Sequence, residues 1–291
     1  MYYKYLLVIV SLLIFTATPL RAEEITLKHN GRSLLAYVEL AAGKKISDGI
    51  ILMTHGALAH GQMEIMATLQ QLMKDNGQNS IAITLSLDED LRKGMYDCGK
   101  NHIHKHSDAI KEIGLWVQWL KSQGAMSISL LGHSRGGNQT AWFAAENSDT
   151  AIKKVILIAP DYWNYAKKKT ANPLLDAVLK KANAMIKADK GDTLMKNTDF
   201  IFCKGATVRA ATFADYYNEN PNHYTPDLIK KIKVPVLVID GSEDNLVPNI
   251  PGLYTPKLKS GDRLEVVKGA DHFFRDLHAD DVSTMILKFL N

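Results

Sequence analysis

The chain has 291 residues, of which 46% are hydrophobic, and its 35 Lys and Arg residues exceed its 31 Asp and Glu residues by a formal charge of +4. It contains no basic block dense enough to indicate a nucleic-acid partner. It also contains no Pro/Ser-rich linker and no internal repeat, so one domain is expected despite the length.

The first residues are typical of a targeting segment. A short, weakly basic start is followed by an apolar run, Leu6 to Phe15, that is too short to cross a bilayer comfortably, and Ala22 supplies a small residue for cleavage. We predict a secretory signal peptide over 1–22, with an uncleaved anchor as the alternative. The mature protein is then periplasmic or secreted, without a stable membrane span. Cleavage removes Lys4 and Arg21 and no acids, which lowers the formal charge from +4 to +2.

The rest of the chain alternates strand and helix patterns. Two segments with period-two patterning flank Asn30-Gly31, a dipeptide suited to a tight hairpin turn, and predict an antiparallel edge that opens the sheet. Apolar runs predict further strands, and helical spacing predicts helices between them. The strands are expected at 50–54, 80–85, 127–131, 154–159, 234–240 and 263–267, and the helices at 61–76, 107–123 and 137–145. Such an order requires an α/β fold with a largely parallel sheet covered on both faces.

Residues 160–233, between two predicted strands, are too many for an ordinary loop. They show helical patterns at 174–188 and around 206–217, and Lys167-Lys168-Lys169 is expected on a solvated helix face or loop. The aromatic side chains of this stretch could line a pocket, although packing accounts for most of them. They are Tyr162, Trp163, Tyr165, Phe200, Phe202, Phe213, Tyr216 and Tyr217.

The pentapeptide Gly132-His133-Ser134-Arg135-Gly136 stands between a predicted strand and a predicted helix. A serine at such a sharp turn is strained, so glycines must flank it to let the backbone pass without clashes. The hydroxyl is thereby pushed towards solvent, beside the N-terminal amides of the following helix. The pattern is typical of a nucleophile elbow, in which His133 is expected to be structural.

Three further motifs follow predicted strands. His55-Gly56-Ala57-Leu58 comes after 50–54, Asp244 after 234–240, and His272 after 263–267. Together with Ser134, they occur in an order that resembles the α/β-hydrolase superfamily, over nearly all of the mature chain. The resemblance implies a mostly parallel central sheet with helices on both faces, a hydrolase domain over 23–291, and a helical cap inserted at about 161–233. It implies no cofactor.

The resemblance also implies a role for each motif. Ser134 would attack a substrate carbonyl and His272 would take its proton, while Asp244 would orient the imidazole. The oxyanion would be held by the backbone amide of Arg135 and by that of Ala57 or Leu58.

Other carboxylates compete for the role of the acid. Asp161 follows the 154–159 strand, a station that some members of the superfamily use, and Asp240 and Glu243 adjoin Asp244. We favour Asp244 because its Asp-x-x-Val-Pro spacing resembles the family loop. Asp271 is a poor partner for its neighbour His272, because adjacent side chains in an extended loop point apart.

The sequence does not decide the roles of two groups of residues, the two cysteines and three alternating histidines. Export would expose Cys98 and Cys203 to an oxidising compartment, where they could form a disulfide, but the sequence does not supply their separation. His102, His104 and His106 alternate, so an extended segment would place them on one face, as in some metal sites. No carboxylate is placed by the sequence to complete a metal shell, so we expect solvated or pocket-rim roles and no metal.

The predicted function is a serine hydrolase, most simply a carboxylesterase that cleaves a small-molecule ester through an acyl-enzyme on Ser134. One alternative is a serine peptidase of the prolyl-oligopeptidase-like or aminopeptidase-like branch, although the chain lacks a propeller domain and an obvious acidic pair for a peptide amino terminus. Another is a non-catalytic binding module, which has no reason to retain a strained elbow. Acyl and alcohol specificity and oligomeric state are left open.

Overall fold

The computed structural model describes residues 22–164, 166, 170 and 172–291. The predicted signal peptide, apart from Ala22, lies outside the described residues, as do Tyr165 and the Lys167-Lys168-Lys169 run. Within the described ranges, none of the helices combines the length and apolar character that a bilayer span requires.

The strands of the described residues form two sheets, a central sheet and a small one. The strands are β1 (Glu23–His29), β2 (Arg32–Glu39), β3 (Ile50–Thr54), β4 (Ser80–Thr84), β5 (Asn101–His102), β6 (Ile128–His133), β7 (Ile152–Ile158), β8 (Leu194–Phe200), β9 (Cys203–Arg209), β10 (Val236–Gly241) and β11 (Arg263–Val267). The central sheet has the order β1-β2-β4-β3-β6-β7-β10-β11, and the small sheet has the order β5-β9-β8.

The central sheet is parallel except at the edge formed by β1 and β2. β1 pairs antiparallel with β2, and β2 pairs antiparallel with β4, whereas each pair from β4 to β11 is parallel. The predicted hairpin turn is present, with Asn30 at φ 48° and Gly31 at φ 76°, which is the positive-φ pair that a tight two-residue turn requires. β3, β4 and β6 are buried along their whole length, because helices cover both faces of a parallel sheet.

Among the described residues, the helices predicted at 61–76, 107–123, 137–145 and 174–188 begin and end within three residues of those limits, whereas helices at 225–229, 250–254 and 277–290 were not predicted. The helices of five or more residues in the described part of the chain are eight. They are α1 (Glu64–Asp75), α2 (Asp108–Ser122), α3 (Arg135–Glu146), α4 (Pro173–Lys187), α5 (Ala210–Tyr217), α6 (Thr225–Ile229), α7 (Ile250–Tyr254) and α8 (Leu277–Leu290). α1 packs with α8, and α2 packs with α3. Their core faces carry large side chains at helical spacing, among them Leu69, Trp116 and Ile286, each fully buried. The expected α/β fold with a mostly parallel sheet is confirmed.

The segment between β7 and β10 contains α4, the β8–β9 hairpin, α5 and α6. The expectation of helix around 206–217 is wrong for its first part, because 203–209 form β9 and the helix begins only at Ala210. Alternate burial in β9 explains the difference, since Ala206 and Val208 face inwards while Thr207 and Arg209 are half-buried. A strand with this pattern has one buried face, and its two edges pair with β8 and β5.

Aromatic packing holds this insert together. Phe200, Phe213, Tyr216 and Tyr217 are buried and contact one another ring to ring, as the packing interpretation expects. Phe202, at the hairpin turn, is instead more than half exposed.

A disulfide joins the insert to the main fold. Cys98, which precedes β5, is bonded to Cys203 at the start of β9, and their Cα atoms lie 5.4 Å apart. The bond therefore ties together two segments 105 residues apart in the chain.

Candidate active site

The parallel strands deliver the predicted site residues to one edge of the sheet. His55 follows β3, Ser134 follows β6, Asp244 follows β10, and His272 follows β11. Carboxyl ends of parallel strands share an edge, which is where α/β folds gather their chemistry.

The backbone around Ser134 has the conformation of a nucleophile elbow. Ser134 has φ 55° and ψ −123°, a positive φ that a residue with a Cβ rarely adopts. A Cβ on Gly132 would lie 2.3 Å from the carbonyl oxygen of Gly136, and a Cβ on Gly136 would lie 2.2 Å from that of His55. Neither position accepts a larger residue, so close packing of strand, loop and helix fixes the turn.

A continuous chain of hydrogen bonds connects three of the predicted residues. Ser134 Oγ lies 2.8 Å from His272 Nε2, and His272 Nδ1 lies 2.7 Å from Asp244 Oδ2. Ser134 is partly exposed, whereas His272 and Asp244 are buried. In this arrangement the hydroxyl donates to Nε2 and the ring Nδ1–H donates to the carboxylate, the tautomer that a general base needs.

The loop after β10 explains the Asp-x-x-Val-Pro spacing. The second carboxylate oxygen of Asp244, Oδ1, accepts from the backbone N–H groups of Leu246 at 2.8 Å and Val247 at 2.9 Å. Burial acts to raise the pKa of Asp244, but the hydrogen bonds from His272 and these amides outweigh it and hold that pKa below its usual range. The carboxylate is therefore ionised and fixed in orientation.

The other candidate acids have different partners. Asp161 Oδ2 pairs with Nη2 of Arg135 at 3.1 Å. Asp271 accepts from the backbone N–H of Phe273 and pairs with Nη1 of Arg275 at 3.5 Å. Asp240 is buried beside Asp244, and its Oδ1 has no partner among the described residues. Burial, and then the charge of Asp244, raises the pKa of Asp240 to about 6.

His133 connects the elbow to the loop that carries His272. Its Nε2–H donates to the backbone carbonyl of His272 at 2.9 Å, and its ring is buried. Burial lowers the pKa of His133 to about 3, so the ring is neutral near pH 7. The sequence indicated a structural residue here, and the structure shows which segment it holds.

The backbone amides of Ala57, Leu58 and Arg135 are near Ser134 and have no acceptor among the described residues. Gly56 packs against the nucleophile, because a Cβ on it would lie 3.2 Å from Ser134 Cβ. Leu58 has φ 53°, which turns its peptide groups away from regular structure, and its carbonyl accepts from Tyr96 N–H. Free amides beside a serine are the donors that an oxyanion needs.

Buried Arg92, which no sequence motif singles out, braces the loop after β3. Its guanidinium donates to the carbonyls of Leu85 and Gly94 and lies 3.2 Å from His55 Nε2. His55 Nδ1–H in turn donates to the carbonyl of Gly56. The hydrogen bonds of Arg92 and His55 therefore hold the loop that carries the free amides in place.

The alternating histidines are buried, so the expectation of solvated roles is wrong, whereas His106 lines a small recess, as a pocket-rim role requires. His102, His104 and His106 are at most 2% exposed. His102 and His104 contact the ring of Phe200 in β8, and His106 contacts the rings of Trp142, Tyr216 and His223. His104 Nδ1 pairs with the hydroxyl of Tyr216, and His106 Nε2 with Asn138 Oδ1. In the part of the chain that the structure describes, no group of three His, Cys, Asp or Glu side chains is arranged to hold a metal ion.

Comparisons with known proteins agree with this fold. The chain is 24% identical to the bifunctional esterase/perhydrolase DCH of Acinetobacter calcoaceticus over 210 residues, which are 62% of this chain and 71% of that protein. The structure of ferulic acid bound to Est1E from Butyrivibrio proteoclasticus matches with a TM-score of 0.66 and 18% identity, over 91% of this chain and 97% of that one. The α/β hydrolase GrgF from Penicillium sp. sh18 matches with a TM-score of 0.68 and 15% identity, over 93% and 98%.

These structural likenesses show the fold. The family model that describes serine aminopeptidase, S33, matches residues 48–274, which span every motif from the loop after β3 to the loop after β11. The chain therefore belongs to this family of serine hydrolases, within the α/β-hydrolase superfamily.

Proposed function

We propose that the protein is a carboxylesterase that cleaves a small-molecule ester through an acyl-enzyme on Ser134. The observation that carries the proposal is the hydrogen-bond chain from Ser134 Oγ through His272 to Asp244. An unassisted serine hydroxyl is a poor nucleophile at neutral pH, and this chain supplies both a base and a group that orients it. The esterase names of several relatives support a hydrolase acting on esters.

In the proposed mechanism, His272 Nε2 takes the hydroxyl proton as Ser134 Oγ bonds to the substrate carbonyl carbon. The oxyanion accepts hydrogen bonds from the backbone amides of Arg135 and of Ala57 or Leu58. His272 then gives its proton to the leaving alcohol, and water attacks the acyl-enzyme by the same route in reverse. Each oxyanion donor lowers the barrier by roughly 3 kcal/mol.

The insert between β7 and β10 is proposed to act as the cap of the site. Export to the periplasm or the medium also belongs to this proposal. The Cys98–Cys203 bond supports it, because disulfides persist in oxidising compartments. Fractionation of cells that express the full chain tests the location, and cleavage after Ala22 is expected in the exported form.

A serine aminopeptidase is the second candidate, because the family description favours it. A peptide amino terminus needs a free carboxylate near the serine. Asp161 is close, since its N–H donates to the Ser134 carbonyl at 2.8 Å, but its side chain is already paired with Arg135. The esterase therefore remains the first proposal.

The test begins with a fluorophosphonate, which labels only an activated serine. The adduct is expected on Ser134 and not in Ser134→Ala, while Ser148→Ala, a change at an exposed serine, is expected to label like the wild type. If the folded wild-type protein is not labelled, a non-catalytic binding module becomes the favoured function. Turnover of nitrophenyl esters is then compared with that of aminoacyl anilides, and faster anilide cleavage would replace the esterase by the peptidase.

A further inference from the structure

A small recess lies beside Ser134, between the start of α3 and the insert. Arg135, Asp161, Tyr216 and His223 contribute to its walls, and we call it the Arg135 recess. Arg135 directly follows Ser134, and Asp161 donates its N–H to the Ser134 carbonyl, so two walls are attached to the backbone of the nucleophile. Its volume of about 10 Å³ admits one water-sized polar group.

The Arg135 guanidinium is largely buried and has spare donors. Its side chain is 17% exposed, it makes one ion-pair contact with Asp161 at 3.1 Å, and it lies over the ring of Tyr216 at 5.4 Å from the centroid. Its Nε–H is buried and has no acceptor among the described residues. A guanidinium presents five N–H donors in a fork that matches a carboxylate, so this one can take a second acceptor without losing Asp161.

His223 adds a second unpartnered group to the same recess. It is 3% exposed, and neither ring nitrogen has a partner in the described part of the chain. Burial, followed by the nearby charge of Arg135, lowers the pKa of His223 to about 4, so its ring is neutral near pH 7 and carries one N–H. His106, behind it, is already paired with Asn138.

The arrangement favours an anion over a cation. A substrate cation would face the guanidinium across the recess, and Asp161 already has an opposite charge at 3.1 Å. An anionic oxygen would instead accept from the Arg135 Nε–H and the His223 N–H, both of which are buried donors. Building on the proposed esterase, we propose that the Arg135 recess binds one oxygen of a carboxylate on the acyl part of the substrate, so that the preferred substrates are monoesters of dicarboxylic acids.

Matched esters test the preference at pH 7.5. The 4-nitrophenyl monoesters of adipic and suberic acid are compared with 4-nitrophenyl hexanoate and octanoate, and with the cationic 6-aminohexanoate ester. In wild-type protein, kcat/KM for at least one monoester is expected to exceed that of its neutral match at least tenfold. The proposal would be overturned if kcat/KM for the neutral ester exceeded that for the monoester in both pairs, or if the cationic ester had the highest kcat/KM.

Variants assign the preference to the recess. Arg135→Gln, which keeps the backbone amide, is expected to reduce the anionic-to-neutral ratio at least tenfold, and Asp161→Asn is expected to increase it. Arg263→Gln removes the same charge from the edge strand β11 and is expected to leave the ratio unchanged. If Arg135→Gln does not fold, an unchanged or lower ratio in Asp161→Asn contradicts the proposal.

A binding measurement separates this inference from the proposed reaction. Calorimetry of Ser134→Ala with monomethyl adipate and methyl hexanoate requires no turnover, and a Kd at least tenfold lower for the acid is expected. That preference without any ester turnover in wild-type protein would refute the esterase and retain the recess. Ester turnover that depends on Ser134, together with equal Kd values for the two ligands, would retain the esterase and refute the recess.

Discussion

The hydrogen bond from His133 to the backbone of His272 predicts how tightly the base must be held. Replacing His133 with Leu removes the donor and leaves the carbonyl of His272 buried without a partner, because the site of the lost ring is closed to water. An unsatisfied buried acceptor costs about 1–3 kcal/mol of folding free energy. A base displaced by about 1 Å from the serine costs roughly 100-fold in rate.

We therefore expect His133→Leu to lower kcat roughly 10- to 100-fold with little change in KM. kcat is measured per labelled active site by fluorophosphonate titration, and the free energy of unfolding by urea denaturation. His133→Gln places an amide N–H near the position of Nε2 and is expected to recover most of kcat. Equal losses in the Leu and Gln variants, or an unchanged kcat in the Leu variant, would refute the positioning role.

Three further predictions concern stability. Replacing both Cys98 and Cys203 with Ser removes a bond between segments 105 residues apart, so we expect the free energy of unfolding in denaturant to fall by about 2–5 kcal/mol. An unfolding midpoint of the wild-type protein that does not change in reductant would contradict this expectation. Burial and a neighbouring carboxylate raise the pKa of Asp240 to about 6, so between about pH 4 and 6 the native state keeps a proton that the unfolded state has lost. The free energy of unfolding of the wild type should therefore fall as pH rises through this range. Asp240→Asn should remove this loss and be more stable by about 1–3 kcal/mol at pH 7.5, and a difference independent of pH would count against this account. Gly136→Ala should unfold or inactivate the protein, because its Cβ would meet a carbonyl oxygen at 2.2 Å, whereas Gly94→Ala, with open space around it, should behave as wild type in thermal unfolding.

The sequence was sufficient where local pattern and strand order decide the outcome. Asn30-Gly31 predicts its hairpin because a two-residue turn needs positive φ at both positions. Ser134, Asp244 and His272 could be grouped because each follows a strand of one parallel sheet, whose carboxyl ends meet at one edge. The Asp-x-x-Val-Pro spacing selected among neighbouring carboxylates, since it allows two backbone amides to hold the carboxylate.

The sequence was insufficient where contacts between distant segments decide. Nothing near His102 or His104 shows that a hairpin at least 90 residues later will cover them. The sequence pattern predicts helix for the second half of β9, because its apolar residues fit both periods over so short a segment. Arg92 and the side chain of Arg135 acquire their significance only from partners that the fold brings to them.

The disulfide limits how a substrate can reach the serine. An insert joined to its main fold only where the chain leaves β7 and returns to β10 could swing open as one body about that pair of connections. The Cys98–Cys203 bond adds a third covalent anchor away from both, at the start of β9. This third anchor opposes rotation of the proposed cap as one body, so we expect substrates to enter by rearrangement of individual side chains and loops.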